Sequence, residues 1–195
     1  PRLPRSVDLP PGLSIASCSS DPRVQNAIEN TLTADWAPDR RREFIRGRTA
    51  ARRALAKLAL PSSPIPIDEV SGAPAWPERS VGSISHKRGV ALAVAGLPGR
   101  FASVGIDIDL DEARDDARRS LYGTEAELES TRVCGASTPA SVLFAVKEAV
   151  FKCASGPLGV PELGFLDVIV RFHDRRMAKA SVTASDLDVH VLVFV

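Results

Sequence analysis

Apolar residues return to one face at helical spacing over residues 39–59, where Phe44, Ala51, Leu55 and Leu58 recur and Pro61 stops the pattern. The spacing predicts a helix there. A second helix is predicted over 141–154, with Leu143, Phe144, Val150, Phe151 and Ala154 as its apolar stripe and Ser155-Gly156-Pro157 as its end. Residues 111–130 read as largely helical. Short apolar runs bounded by turn residues predict strands at 80–85, 90–95 and 101–109, with His86-Lys87-Arg88-Gly89 as a tight connection between the first two. The tail, 166–172 and 179–195, is rich in β-formers. Prolines mark loops at Pro1–Pro11, Pro61–Pro77 and Pro98, and Leu97-Pro98-Gly99-Arg100 reads as the boundary between an N-terminal half, 1–99, and a C-terminal half, 100–195. Helices and strands mix without regular alternation, so the expected class is α+β rather than a doubly wound sheet.

Composition narrows the function classes. The 195 residues are 44% hydrophobic and 25% charged, ordinary for a globular chain, and no stretch reaches the ~20 unbroken apolar residues of a membrane span. A net charge of +1 selects neither nucleic acid nor an anionic membrane as partner. Cys18, Cys134 and Cys153 are an odd number without C-x-x-C spacing or clustered histidines, which argues against a disulfide framework and a zinc site and for a reducing cytoplasm. Pro1-Arg2-Leu3-Pro4 lacks the apolar run of a signal peptide. Locally, charge is segregated: residues 38–58 carry eight bases against two acids, and residues 105–129 carry nine acids against three arginines. Each run by itself fits a solvated face. Facing a common cleft, they would offer one wall to phosphates and the other to a metal that phosphates also ligate. No Gly-x-x-x-x-Gly-Lys-Ser/Thr or Gly-x-Gly-x-x-Gly run is present, which removes the P-loop and Rossmann routes to phosphate binding.

Several side chains carry candidate chemistry. On a strand, Asp107 and Asp109 share one face opposite Ile106 and Ile108, and two such carboxylates are tolerable when solvated or when a hard divalent cation lies between them. Lys147 falls inside the apolar stripe of helix 141–154, where it either snorkels out or meets an anion. Glu148 and Lys152 lie one turn apart, a spacing that an ordinary helical ion pair explains. His86 follows Gly82-Ser83-Ile84-Ser85, a small-residue strand whose hydroxyls and N–H groups can approach a ligand closely, although a lone turn histidine is more often incidental. His173 and His190 lie in the β-rich tail and read as structural. An RNA-binding reading of the arginine helix lacks support, because aromatic residues are only 5% of the chain, too few for a row of stacking platforms.

Five ordered blocks carry a resemblance: Gly47-Arg48-Thr49-Ala50-Ala51-Arg52-Arg53-Ala54-Leu55, Pro74-Ala75-Trp76-Pro77, Gly82-Ser83-Ile84-Ser85-His86, Val104-Gly105-Ile106-Asp107-Ile108-Asp109 and Phe144-Ala145-Val146-Lys147-Glu148-Ala149-Val150-Phe151-Lys152. In order and spacing they resemble the motifs of 4′-phosphopantetheinyl transferases of the Sfp type, in the branch typified by the enterobactin synthetase component D. The resemblance implies an α+β monomer of two similar halves, with coenzyme A and Mg²⁺ (or Mn²⁺) in the cleft between them. It implies transfer of the 4′-phosphopantetheine arm to a serine of an acyl or peptidyl carrier protein, releasing 3′,5′-ADP, in polyketide, nonribosomal peptide or siderophore synthesis.

By motif position, the resemblance makes Asp107, Asp109 and Glu148 the metal ligands. It makes Arg40, Arg48, Ser85, His86, Lys147 and Lys152 contacts to coenzyme A, and assigns Glu125, Glu148 and Lys152 to catalysis, Glu125 accepting the serine proton directly or through water. Asp109 stands where relatives usually have glutamate, one methylene longer. The alternative of another class is a non-catalytic relative that docks carrier proteins with weakened affinity for coenzyme A. Nucleic acid and membrane are not expected partners.

Overall fold

The computed structural model describes residues 8–22, 27–62, 64–109, 119–135, 138–155, 163–183, 185 and 187–193. The chain divides into two compact units, the first running to Ile108 and the second beginning at Asp109. This division falls later than the 97–100 boundary read from the sequence. The physical reason is a tether: Ser85 in the first unit bonds both the Asp107 carboxylate and the Ile108 N–H, which keeps that segment with the N-terminal sheet.

In the first unit, strands β1 (Leu13–Cys18), β2 (Val81–Lys87) and β3 (Val90–Gly96) form an antiparallel sheet in the order β1-β3-β2. Helix α1 (Ala27–Leu32) and the 20-residue helix α2 (Pro38–Lys57) lie between β1 and β2 in the chain. The register sets Ala16, Ala93 and Ile84 side by side, and Cys18, Ala91 and His86 beside them, on one sheet face. Because four of these six side chains are small, α2 can pack its own small face, Ala50, Ala51 and Ala54, closely against them, with Leu55 and Ile65 completing a fully buried core. Gly47 and Gly82 serve the same close packing: an added Cβ would lie 3.0 Å from the Ile84 side chain and 2.3 Å from the Trp76 ring, respectively.

Helix α2 matches the predicted span within two residues. It starts on Pro38, whose missing N–H costs nothing at a helix start, and ends with Ala59 at φ 54, Leu60 N–H returning to the Leu55 carbonyl at 3.1 Å and Ala59 N–H to Ala56 at 3.1 Å. The β2–β3 hairpin is longer than expected. His86 and Lys87 belong to β2, paired with Ala91 and Val90, and the connection is Arg88-Gly89 alone, at φ 47 and 80, the two-residue turn that matches strand twist.

The predicted strand over 101–109 is not found. Residues 103–109 carry no ladder assignment: the Ile108 N–H is taken by a side chain, and Phe101 N–H returns to Leu97 in a turn at 3.0 Å.

In the second unit, α3 (Arg119–Tyr122), α4 (Glu125–Ser130) and a 3₁₀ turn (Thr131–Cys134) precede α5 (Pro139–Ala154). The helix expected over 111–130 is broken at Gly123-Thr124, and residues 110–118 lie outside the described residues. A second 3₁₀ turn (Phe165–Asp167) leads into β4 (Val168–Phe172), β5 (Met177–Val182) and β6 (Asp188–Leu192), an antiparallel sheet in chain order. Val168, Val170, Ala178, Ala180, Val182 and Val191 alternate onto the inner face and meet Leu143, Val146 and Val150 of α5. Both units are thus a helix packed on a three-stranded sheet, with different connectivity, and the class is α+β as expected. Among the described residues, no helix is long and apolar enough to cross a membrane.

Candidate active site

The alternation of β2 sorts its small residues. Gly82, Ile84 and His86 face α2, whereas Ser83 and Ser85 are buried on the opposite face. There Ser85 Oγ donates to Asp107 Oδ1 at 2.8 Å and accepts from the Ile108 N–H at 3.2 Å. Ser85 is 5% exposed, so the hydroxyl expected to approach coenzyme A is occupied in orienting a carboxylate. On the α2 side, His86 Nδ1 lies 3.7 Å from Glu43 Oε2, both half-exposed, which leaves the imidazole at the surface beside an acid.

The basic run of α2 is largely spent inside its own unit. Arg52 pairs with the buried Glu29 of α1, Arg46 with Asp21, and Arg53 and Lys57 donate to the carbonyls of Ser17 and Ile15 at 2.8 and 2.6 Å. Arg48 is the largest departure from expectation. It is 5% exposed, donates to the carbonyls of Ile65 and Pro66, and its guanidinium sits 4.2 Å from the Phe44 ring centroid. Burial pulls its pKa below the usual guanidinium value, down to about 10; Glu29 acts against this and Arg52 with it. Its observed role is therefore to anchor the Ile65-Pro66 segment. Arg40 is exposed, its guanidinium 4.4 Å from the Trp36 ring centroid, and is a cation a solvent-borne anion can reach.

In the second unit, the anion that Lys147 requires is Glu127. Lys147 is fully buried, its Nζ 2.9 Å from Glu127 Oε1 and donating to the Phe165 carbonyl at 2.7 Å. Glu127 also takes the Val170 N–H on Oε1 at 3.0 Å, and the Thr124 N–H and hydroxyl on Oε2 at 2.8 and 3.1 Å. The Glu127 N–H in turn donates to the Thr124 hydroxyl oxygen, closing a capping box at the start of α4. Burial alone pushes the Glu127 carboxyl up, but the bonds from Thr124, Lys147 and Val170 and the ammonium charge outweigh it and hold the group below its ordinary value. Lys147, expected to touch phosphate, thus has its charge met inside the fold.

The sequence reading did not single out Glu127. The signal was present as Thr124-x-x-Glu127, a capping signature. Gly123 sits over the pair: a Cβ there would lie 2.7 Å from Leu143, 2.8 Å from Glu127 Oε2 and 3.2 Å from Lys147 Nζ.

The rest of the α5 stripe turns toward aromatic neighbours. Phe144 and Phe151 each lie 5.3 Å from Phe165, and Tyr122 meets Phe144 edge-on at 5.3 Å. Glu148 and Lys152 are half-buried on α5, and Glu125 is exposed in the first turn of α4. The expected metal ligands are divided, Asp107 in the first unit and Asp109 and Glu148 in the second, and among the described residues no three His, Cys, Asp or Glu side chains are gathered as a ligand set. His173 and His190 are exposed on the second sheet and its hairpin.

Known proteins give this arrangement its class. Residues 28–96, from α1 through β3, match the 4′-phosphopantetheinyl transferase N-terminal domain. The chain is 34% identical over 165 residues to 4′-phosphopantetheinyl transferase PptT of Mycobacterium tuberculosis (strain ATCC 25618 / H37Rv), covering 82% of this chain and 71% of that protein. It is 35% identical over 176 residues to 4′-phosphopantetheinyl transferase Npt of Nocardia iowensis, covering 84% and 74%. Against 4′-phosphopantetheinyl transferase Svp of Streptomyces mobaraensis the identity is 36% over 141 residues, 70% of this chain and 56% of that protein. The chain belongs to the 4′-phosphopantetheinyl transferase family and is an enzyme of that class.

Proposed function

We propose that this enzyme, a transferase of the Sfp type acting as a cytoplasmic monomer, moves the 4′-phosphopantetheine group of coenzyme A to a serine of an acyl or peptidyl carrier protein in polyketide, nonribosomal peptide or siderophore synthesis. The observation that carries the reading is the similarity to named 4′-phosphopantetheinyl transferases over 82% and 84% of the chain. In the reaction the serine Oγ bonds to the β-phosphorus. The bond from that phosphorus to the oxygen of 3′,5′-ADP breaks, and the serine proton passes to Glu125, directly or through water. Glu125 suits this better than Glu127, because it is exposed while Glu127 is buried and already accepts from Thr124, Lys147 and Val170.

The carboxylates Asp107, Asp109 and Glu148 are hard oxygen donors of the kind Mg²⁺ or Mn²⁺ takes, and the Ser85 hydroxyl on Asp107 is the outer support such a ligand needs. A bound cation would neutralise charge on the phosphate oxygens. Arg40 and His86, both exposed, are the phosphate contacts this structure supports best in the first unit, and Lys152 is assigned to the charge that develops on the leaving group. The test is intact-mass measurement of a panel of apo carrier proteins after incubation with enzyme, coenzyme A and Mg²⁺. A pantetheinyl mass increment on at least one carrier is expected. No increment on any carrier, together with no binding of coenzyme A, would overturn the proposal.

A further inference from the structure

We infer that Lys147 and Glu127 are positioning residues, a buried strut that sets the roll of α5 and thereby the placement of Glu148 and Lys152; the inference rests on the transferase reading above. Apolar packing of Leu143, Val146 and Val150 against the sheet is non-directional and tolerates small rotations of a helix about its axis. The strut is directional. Lys147 Nζ is held at 2.9 Å by a carboxylate of α4 and at 2.7 Å by the carbonyl of Phe165, and the same carboxylate is fixed by the Val170 N–H of β4 and by Thr124. Four elements therefore meet at one ion pair. Lys147 is 0% exposed, and Gly123 lies over the pair, where a Cβ would come within 2.8 Å of Glu127 Oε2 and 3.2 Å of Lys147 Nζ.

Glu148 is the next residue in the chain, and Lys152 lies one turn beyond it. A rotation of α5 that lengthened the Lys147–Glu127 contact would swing both away from their places, since each residue step on a helix turns the side chain by ~100°. A phosphate contact at Lys147 would need the ammonium to leave a carboxylate in the interior, which strands that carboxylate unpaired.

The experiment compares Lys147→Met, the double variant Lys147→Met with Glu127→Gln, and Glu127→Gln alone. It measures melting temperature, coenzyme A affinity by calorimetry, and kcat per folded enzyme. Positioning predicts that Lys147→Met lowers the melting temperature and lowers kcat about tenfold, with coenzyme A affinity within about twofold. The double variant removes the stranded carboxylate and keeps an acceptor for the Val170 N–H. It should therefore recover the melting temperature but not kcat, because the directional contact that sets the roll of α5 is still missing.

A double variant that melts like wild type but binds coenzyme A about tenfold more weakly would assign Lys147 to phosphate and overturn the inference. So would a Lys147→Met enzyme whose kcat per folded molecule is unchanged, since the pair would then be merely structural. Should Lys147→Met not fold, Glu127→Gln decides: loss of kcat supports positioning, whereas unchanged kcat contradicts it. Wild-type enzyme that neither binds coenzyme A nor transfers would sink the proposed function and leave the melting-temperature arm standing.

Discussion

Ser85 Oγ lies 2.8 Å from Asp107 Oδ1, across 22 residues of chain, and in the same position accepts the Ile108 N–H at 3.2 Å. One hydroxyl therefore does two things at once: it orients a carboxylate expected to hold the metal, and it satisfies a backbone donor that a strand ladder would otherwise take. Ser85→Ala should cost about 1–3 kcal/mol of stability, the range for leaving a partly buried donor without its partner. It should also raise the Mg²⁺ concentration for half-maximal rate. Denaturant unfolding beside a Mg²⁺ titration checks both. Unchanged stability and Mg²⁺ response would mean that the hydroxyl is incidental.

Removing the carboxylate itself should be more severe. Asp107→Ala is expected to abolish transfer while leaving the fold, because a hard divalent cation deprived of one of three anionic ligands is no longer held against water. Wild-type activity should likewise vanish in excess EDTA and return on adding Mg²⁺. Full turnover in EDTA would contradict the metal assignment.

Much of this was legible in the sequence, though unevenly. The apolar spacing of α2 and its flanking prolines gave its span nearly to the residue, because a helix on a sheet of small residues leaves its periodicity in plain view. The hairpin turn was misplaced because Arg88 at φ 47 advertises no left-handed preference by its residue type. Residues 101–109 have the alternation of a strand, yet the Ile108 N–H and the Asp107 carboxylate are held by Ser85, a partner no local pattern names. For the site, Lys147 stood out as a charge in an apolar stripe and was buried as the stripe demands. Its partner was hidden among the nine acids of residues 105–129 and emerges only when α4 and α5 pack. Arg48 illustrates the limit of charge counting: a basic run suggests phosphate, but burial turned this member inward to carbonyls.

Acid should probe the strut. Because the Glu127 carboxyl is held below its ordinary value in the folded protein, its contribution to stability is complete above about 4.5 and is lost as the pH falls from there through the depressed value. Glu127→Gln should flatten that acid limb of the stability curve. Unfolding free energies measured between pH 3 and 7 check it, and parallel limbs for the two proteins would show that the carboxylate is not titrating with folding.

Lys152 should behave differently from Lys147. It lies one turn beyond Glu148 on α5 and is half-buried, not enclosed. Lys152→Ala is expected to lower kcat by about 100-fold or more with a much smaller change in coenzyme A affinity, the pattern of an interaction made mainly in the transition state. Steady-state kinetics beside calorimetric titration separates the two, and a loss confined to coenzyme A binding would reassign the lysine to the ground state.

The central claim is that phosphopantetheine is transferred to a carrier serine with departure of 3′,5′-ADP. The most direct measurement counts both products in one reaction: 3′,5′-ADP by chromatography and holo-carrier by intact mass, using an apo carrier and its serine-to-alanine variant. Equal amounts of the two products, with neither formed on the variant, are predicted. Release of 3′,5′-ADP without modified carrier, or association with the carrier without release of 3′,5′-ADP, would contradict the account.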